Sequence, residues 1–562
     1  METNWFERAG HGMNVVLLLS MSYFLLMFGN GIVSLTHPDE VFYVQSAKEM
    51  LDHNSWLTPM IFDDVQFEKP FLSFALFMIA IKWFGVTAFA GRFFPALFGM
   101  IGVGVIYWIS WLLFNRKRVS FITSVVLSSS FIYLALSRAV LTDMIFSVFV
   151  CMAIGFFCLA YYNRKHKHLG ITLFFAFAGI AVLTKGVLGV LFPVTTILLF
   201  LVYKREIAFL KCRSTLWGVG LFLIIAVPWH ILMYHRYGQF FIEEYFYNVH
   251  WRRVLAAEHA RLDNWYFYLA LMITGITPWF LFWIPAFGLV YRQFKLKLAN
   301  RDKIFFLLSW IVSVYIYVQP AHSKLASYLF PAFPAIAMLL GYTINDLLER
   351  VQAAHNIRIM RLCGYGTVVF LAVMAVGGFI AGNRYIDILV DLAPVYFGLG
   401  LITCVAVLIV LFLHKQLYTQ MILSFVGVTA AVLATLFYVR PNIEPWVSCK
   451  DISDVFSKMD RSGTPILSSK FYVRGVRYYT GRDMAVIDIN GKGFWSPHPI
   501  PYFDKDHAFL QFVNSRPVTW AILKEGNVSD VHRILHGSNF KITDFGGMGG
   551  KYILKIEKTD QI

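Results

Sequence analysis

The sequence predicts a polytopic α-helical membrane protein of about thirteen spans, followed by a small soluble α/β domain. Three observations carry this prediction. Of 562 residues, 58% are hydrophobic and only 15% charged, where a soluble domain carries roughly 25% charged residues. Apolar runs that approach the length of a membrane span recur as far as residue 438. The basic residues gather in short clusters between those runs, as cytoplasmic loops do. The net charge of +16 is therefore read as membrane orientation, and no nucleic-acid partner is expected.

The runs lie near 13–35, 70–84, 92–114, 119–136, 140–162, 169–183, 185–203, 215–234, 265–291, 303–320, 325–346, 359–381, 391–414 and 419–438. A span needs about 20 residues; the 70–84 run falls short and carries Lys82. Basic clusters sit at Arg116-Lys117-Arg118, Arg164-Lys165, Lys204-Arg205, Arg292 through Lys303, Arg350 with Arg358 and Arg361, and Lys415. All of them reach the cytoplasm only if 70–84 does not cross and the other thirteen segments do. Segment 70–84 is then a juxtamembrane helix in a first outer loop, 36–91. The N-terminus is inside, segment 13–35 stays as an anchor, and everything after about residue 439 is outside. Two domains follow, 1–438 and 439–562.

The outer domain reads as strands near 464–468, 484–488, 518–523, 538–544 and 551–556. Helical patterns fall near 450–459, 471–479, 505–514 and 528–536. The Gly546-Gly547-Met548-Gly549-Gly550 cluster lies between two late strands and reads as a hairpin turn rather than a phosphate cradle. Of six cysteines, only Cys449 falls in this domain, so no disulfide within it is expected.

This topology puts Asp39, Glu40, Glu68, Lys69, Arg138, Asp143, Lys185, the 236–264 loop and Lys324 on one membrane face. Ionisable groups beside a membrane are expensive and point to function. Each also has a plainer reading. Thr36, Pro38 and Asp39-Glu40 make a helix start, with Thr36 as N-cap and acids in the first turn. Glu68-Lys69-Pro70 makes a self-neutralised pair at the start of the next helix. Arg138 and Asp143 either pair with each other or face Asp39 across a cavity. Lys185, followed by Gly186, either snorkels to headgroups or binds phosphate. In the 236–264 loop, Tyr245, Tyr247, His250, Arg252, Arg253, His259 and Arg261 suit an anionic headgroup. Lys324 and Tyr328 stand one turn apart, facing the same way.

Taken in order, Pro38-Asp39-Glu40 with Tyr43, Phe67-Glu68-Lys69-Pro70, Arg92, Asp143, Leu183-Thr184-Lys185-Gly186, Pro228-Trp229, His250 with Arg253, and Lys324 with Tyr328 and Pro331 carry a resemblance. The chain resembles the bacterial aminoarabinose transferases, which move 4-amino-4-deoxy-L-arabinose from undecaprenyl phosphate onto lipid A. More broadly it is similar to the protein O-mannosyltransferase superfamily of GT-C glycosyltransferases. The resemblance covers essentially the whole chain and implies a GT-C fold in the bacterial inner membrane. Its active site would lie at the outer leaflet, beneath a periplasmic α/β domain.

By the same resemblance, Asp39, Glu68 and Asp143 are the catalytic acids. Lys69, Lys185, Tyr43, Tyr328, Lys324 and Arg253 hold the donor phosphate, and His250, Arg138 and Glu40 meet the acceptor. The expected partners are a polyprenyl-phosphate-linked sugar, lipid A or another acceptor, and the membrane, with the chain acting as a monomer. No cofactor is demanded by the residues; a divalent metal at Glu68 and His259 is the one candidate. The chain departs from the family's Asp-Glu-x-Arg-Tyr at Phe42, and Leu262-Asp263-Asn264 stands where the family leads into its Pro-aromatic run. A flippase for a lipid-linked sugar is the competing class. It calls for charges near the midplane and matched halves, and the sequence has neither.

Overall fold

The computed structural model describes residues 10–257, 262–389, 392–496 and 498–559. Each of the thirteen expected segments carries helix. Among the described residues, eight helices are long and apolar enough to cross a membrane. The count is nine if Lys117–Ser128 and Phe131–Ser137, bent by 65°, form one span. The others are shorter, interrupted or, like Arg301–Val318, more charged: the 265–291 segment breaks into Phe267–Thr274 and Trp283–Lys295, which hydropathy alone does not reveal. Helix ends follow local chemistry. Thr87 accepts from the Ala90 amide (3.1 Å) to start Ala88–Phe114, and Asn115 ends it in the left-handed region.

Segment 70–84 forms the helix Phe71–Phe84, 14 residues long. At ~1.5 Å per residue it is too short for a ~30 Å core. It packs beside Asp39–Asp52, the first helix of the same loop. Between them, β1 (Met60–Ile61) and β2 (Asp64–Val65) form a hairpin. Its two turn residues, Phe62 and Asp63, both have positive φ, the twist that two-residue hairpins favour.

Tyr418–Val447 is the last long helix, and Lys450–Met459 opens a second layer. There β3 (Ile466–Ser469), β4 (Met484–Ile487), β5 (Tyr502–Phe503), β6 (Val518–Lys524), β7 (Phe540–Met548) and β8 (Lys551–Lys558) form one sheet, in the order β5-β4-β3-β6-β8-β7. The four strands from β5 to β6 are parallel, and β8 and β7 join antiparallel. β3 and β4 are buried at every residue, as parallel strands covered on both faces are. The short β5 was not evident from sequence. The glycine cluster falls at the β7–β8 turn. There a Cβ on Gly549 would come within 1.9 Å of the Pro445 carbonyl oxygen, so only glycine fits.

One face of the sheet packs helices 506–514 and 525–535 through Phe509, Phe512, Val531 and Leu535. The other face has no core of its own. Ile466, Val473, Val476, Met484, Trp520 and Ile522 share a single apolar cluster with Val41, Phe42, Tyr43, Phe74 and Phe77 of the first loop. Arg477 reinforces the junction through Asp63 and Asp483, with Glu49 at 3.6 Å. Cys449 is a free, buried thiol beside His37 (3.6 Å).

Candidate active site

Asp39 opens helix Asp39–Asp52, exposed to solvent, and Tyr43 lies one turn further on, buried. The Tyr43 ring packs on Phe42, Phe74 and Phe77. Burial, then the charges of Asp143, Glu68 and Asp39, holds its phenol well above the usual tyrosine range. Tyr43 therefore stays protonated, within electrostatic reach of three carboxylates.

Glu68 and Lys69 lie in the turn after β2. The Gln66 side chain accepts from the Glu68 amide (2.8 Å), and Lys69 Nζ donates to the Glu68 carbonyl (2.8 Å). Burial opposes the charge on Glu68, but Arg474, Arg253 and Lys69 outweigh it and hold the carboxyl below its ordinary value. Lys69 is 8% exposed. Burial, then Arg253, pushes its amine down to about 7, so a bound anion would restore its full charge.

Asp143 begins helix Asp143–Tyr162 and Lys185 ends helix Lys167–Lys185. Each complements the dipole of its own helix, and the two form a buried ion pair. Lys185 Nζ also stands 4.9 Å over the Tyr328 ring, and Tyr328 accepts from Arg253 Nη1 (3.4 Å). Next to Lys185, Gly186 has φ +99°, and a Cβ there would lie 2.5 Å from His250 Nε2. His250 donates from Nδ1 to the Tyr245 carbonyl (2.6 Å) and lies within electrostatic reach of Lys69 and Arg253.

Three expected roles meet a different geometry. Glu40 is not available to an acceptor. Both its oxygens receive Arg92 (2.7 and 2.6 Å), and they also take Thr36 and the Val140 amide. Thr36 thus donates to Glu40 and does not cap the helix. Arg138 donates to the carbonyls of Leu25 and Phe28 at the end of the first helix and borders the same cavity as Asp39. Lys324 lies before the short helix Ala326–Leu329, so it shares no helix face with Tyr328, and it pairs with Asp263 (2.6 Å). His259 lies outside the described residues. Among those described, no three His, Cys, Asp or Glu side chains converge as metal ligands do.

Two further residues near the cluster come from the sheet layer and belong to no motif of the sequence. Arg474 Nη2 stands 3.5 Å from Glu68 Oε1 and 3.0 Å from His498 Nε2, and its guanidinium lies 4.5 Å over the Phe42 ring. Nearby, Trp495 donates to the Asn248 carbonyl and stacks under Arg252 at 4.1 Å. Two cavities flank the cluster. One, about 520 Å³, is bordered by Asp39, Glu40, Arg92 and Arg138 together with Phe131, Leu134 and Leu436. The other, about 620 Å³, is lined by Val182, Val190, Phe222, Tyr245, Phe246 and His250, and is almost wholly apolar.

The dolichyl-phosphate-mannose-protein mannosyltransferase family model matches residues 13–242. An undecaprenyl phosphate-α-4-amino-4-deoxy-L-arabinose arabinosyl transferase of Proteus mirabilis is 28% identical over 60% of this chain and 61% of its own length. The Photorhabdus laumondii transferase of that name is 26% identical over 58% of each chain. The matches thus span about three fifths of these relatives. A crystal structure of ArnT from Cupriavidus metallidurans, bound to undecaprenyl phosphate, superposes with a TM-score of 0.77 at 18% identity, covering 97% of this chain and 98% of that one. Family model and relatives thus match part of the chain in sequence, and over nearly its whole length the chain shares the fold of the Cupriavidus metallidurans structure.

Proposed function

We propose that the chain is an inverting glycosyltransferase that moves a sugar, favoured as 4-amino-4-deoxy-L-arabinose, from undecaprenyl phosphate to lipid A. The reaction takes place at the periplasmic face of the inner membrane. The division into a membrane part, 1–438, and an outer part, 439–562, belongs to this reading. The observation that carries it is a linked charge cluster: Lys185 pairs with Asp143 and stands over Tyr328, which meets Arg253, while Lys69 and Arg474 hold Glu68, and Asp39, Glu68 and Asp143 all act on Tyr43. With Lys69 charged by a bound anion, four cations stand against three carboxylates, the positive excess that a phosphate diester requires.

In the reaction, the bond from the anomeric carbon to the donor phosphate breaks and the phosphate leaves with the electron pair. Lys69 and Arg253, with the Tyr43 hydroxyl as a neutral donor, stabilise that developing charge. The anomeric carbon becomes oxocarbenium-like, and the nearby carboxylates favour it. An acceptor oxygen bonds to the opposite face. Where the acceptor is a hydroxyl, Asp39 takes its proton; where it is a lipid A phosphate, Asp39 positions it. The apolar cavity at His250 suits the first isoprene units of the donor, and the cavity at Asp39 suits the acceptor.

Asp39→Asn is expected to abolish transfer while leaving the chain folded and inserted; retained transfer would remove the catalytic assignment. Mass spectrometry of lipid A from cells with and without the gene tests the substrates. A pentosamine increment that vanishes on deletion supports them. A second reading, transfer to protein hydroxyls, is favoured by the mannosyltransferase family match over 13–242, and unchanged lipid A would move the assignment there.

A further inference from the structure

Helix Val473–Thr480 of the sheet layer presents two arginines with different surroundings. Arg477 is spent on the junction, held by Asp63, Asp483 and Glu49. Arg474 points to the cluster. It is 16% exposed and stands 3.5 Å from Glu68, itself 17% exposed. His498 and the Phe42 ring confine it from two other sides.

We propose that Arg474 is a positioning residue for Glu68, with its guanidinium fixed by His498 and Phe42, so that the sheet layer supplies part of the active site. This rests on the reading of Glu68 as a catalytic carboxylate. The geometry supports it in three ways. The His498 ring is wedged between Phe62 and Phe494 (centroids 5.1 and 4.6 Å), so the acceptor that orients Arg474 is itself fixed. A histidine facing an arginine at 3.0 Å can only accept, which holds its Nε2 unprotonated. Burial and Arg474 push that imidazole down to about 3, in keeping with the assignment. Finally, the contacts that hold Arg474 are Glu68, His498 and an aromatic face.

The test uses the full chain in liposomes with a polyprenyl-phosphate sugar donor. Arg474→Ala is expected to lower kcat on the order of 10- to 100-fold, as small misplacement of a catalytic group does. The donor KM should change far less, and the thermal midpoint should move by less than about 2 °C. Arg474→Lys should recover part of kcat, and His498→Ala should show a smaller loss of the same kind. If Arg474 acts through Glu68, the double variant Arg474→Ala/Glu68→Gln will be no slower than Glu68→Gln alone. Losses that multiply in the double variant would overturn the proposal. So would a wild-type kcat for Arg474→Ala when Glu68→Gln is inactive, or a loss matched by the fall in thermal midpoint of the control Arg477→Ala. Full kcat in Glu68→Gln would overturn the catalytic reading of Glu68 itself, and this proposal with it.

Discussion

Asp39 and Glu40 are adjacent acids with opposite fates. Asp39 faces solvent at the edge of a cavity, while Glu40 is sealed against Arg92 with every acceptor position taken. Removing one partner of a buried, hydrogen-bonded pair strands the other charge, at about 3–5 kcal/mol. Glu40→Ala is therefore expected to lower the thermal midpoint in detergent by several degrees, whereas Asp39→Asn leaves it in place. The sequence marked both acids but not their division of labour. Arg92 was visible as the start of a span, yet its partner lies 52 positions away. Such pairing belongs to the folded chain, as does the Arg474–Glu68 contact across 406 positions. By contrast, Lys69, Asp143 and Lys185 were legible as ionisable groups gathered on one membrane face, although each also had a plainer reading.

At the scale of elements, the site is built from helix ends and tight turns. Asp143 and Lys185 sit at opposite poles of neighbouring helices, and Gly186 lets the chain turn sharply enough for His250 to approach. Gly186→Ala combines a strained positive φ with a clash against the His250 ring. It is expected to lower transfer at least about tenfold and to shift the thermal midpoint by only a few degrees, as measured in the liposome assay and by thermal unfolding. Element type was readable from period and length, and the exclusion of 70–84 as a span followed from charge alone. Breaks within elements were not readable. The interruption after Thr274 and the late start of helix Ala326–Leu329 depend on packing partners, and the second removed Lys324 from the face of Tyr328.

At the scale of the molecule, the first loop and the sheet layer share one apolar cluster, and His37 lies in their junction beside Cys449, Phe471 and Tyr472. Burial, then Lys551, pushes His37 down to about 4. An unfolded histidine titrates near 6.5, so the folded state binds fewer protons between those values. The stabilisation from His37 is complete above about pH 6.5 and is lost as pH falls toward 4. Thermal midpoints should decline over that window, and His37→Asn should flatten the decline. The seam has a further consequence for how such proteins diversify. The sheet layer and the loop beneath it contribute opposite walls of one interior, so neither is a detachable cap. A chimaera joined at the linker near residue 448 would bring together surfaces that were never matched. A productive exchange between relatives would have to carry residues 36–91 and the whole sheet layer together, as one inherited unit.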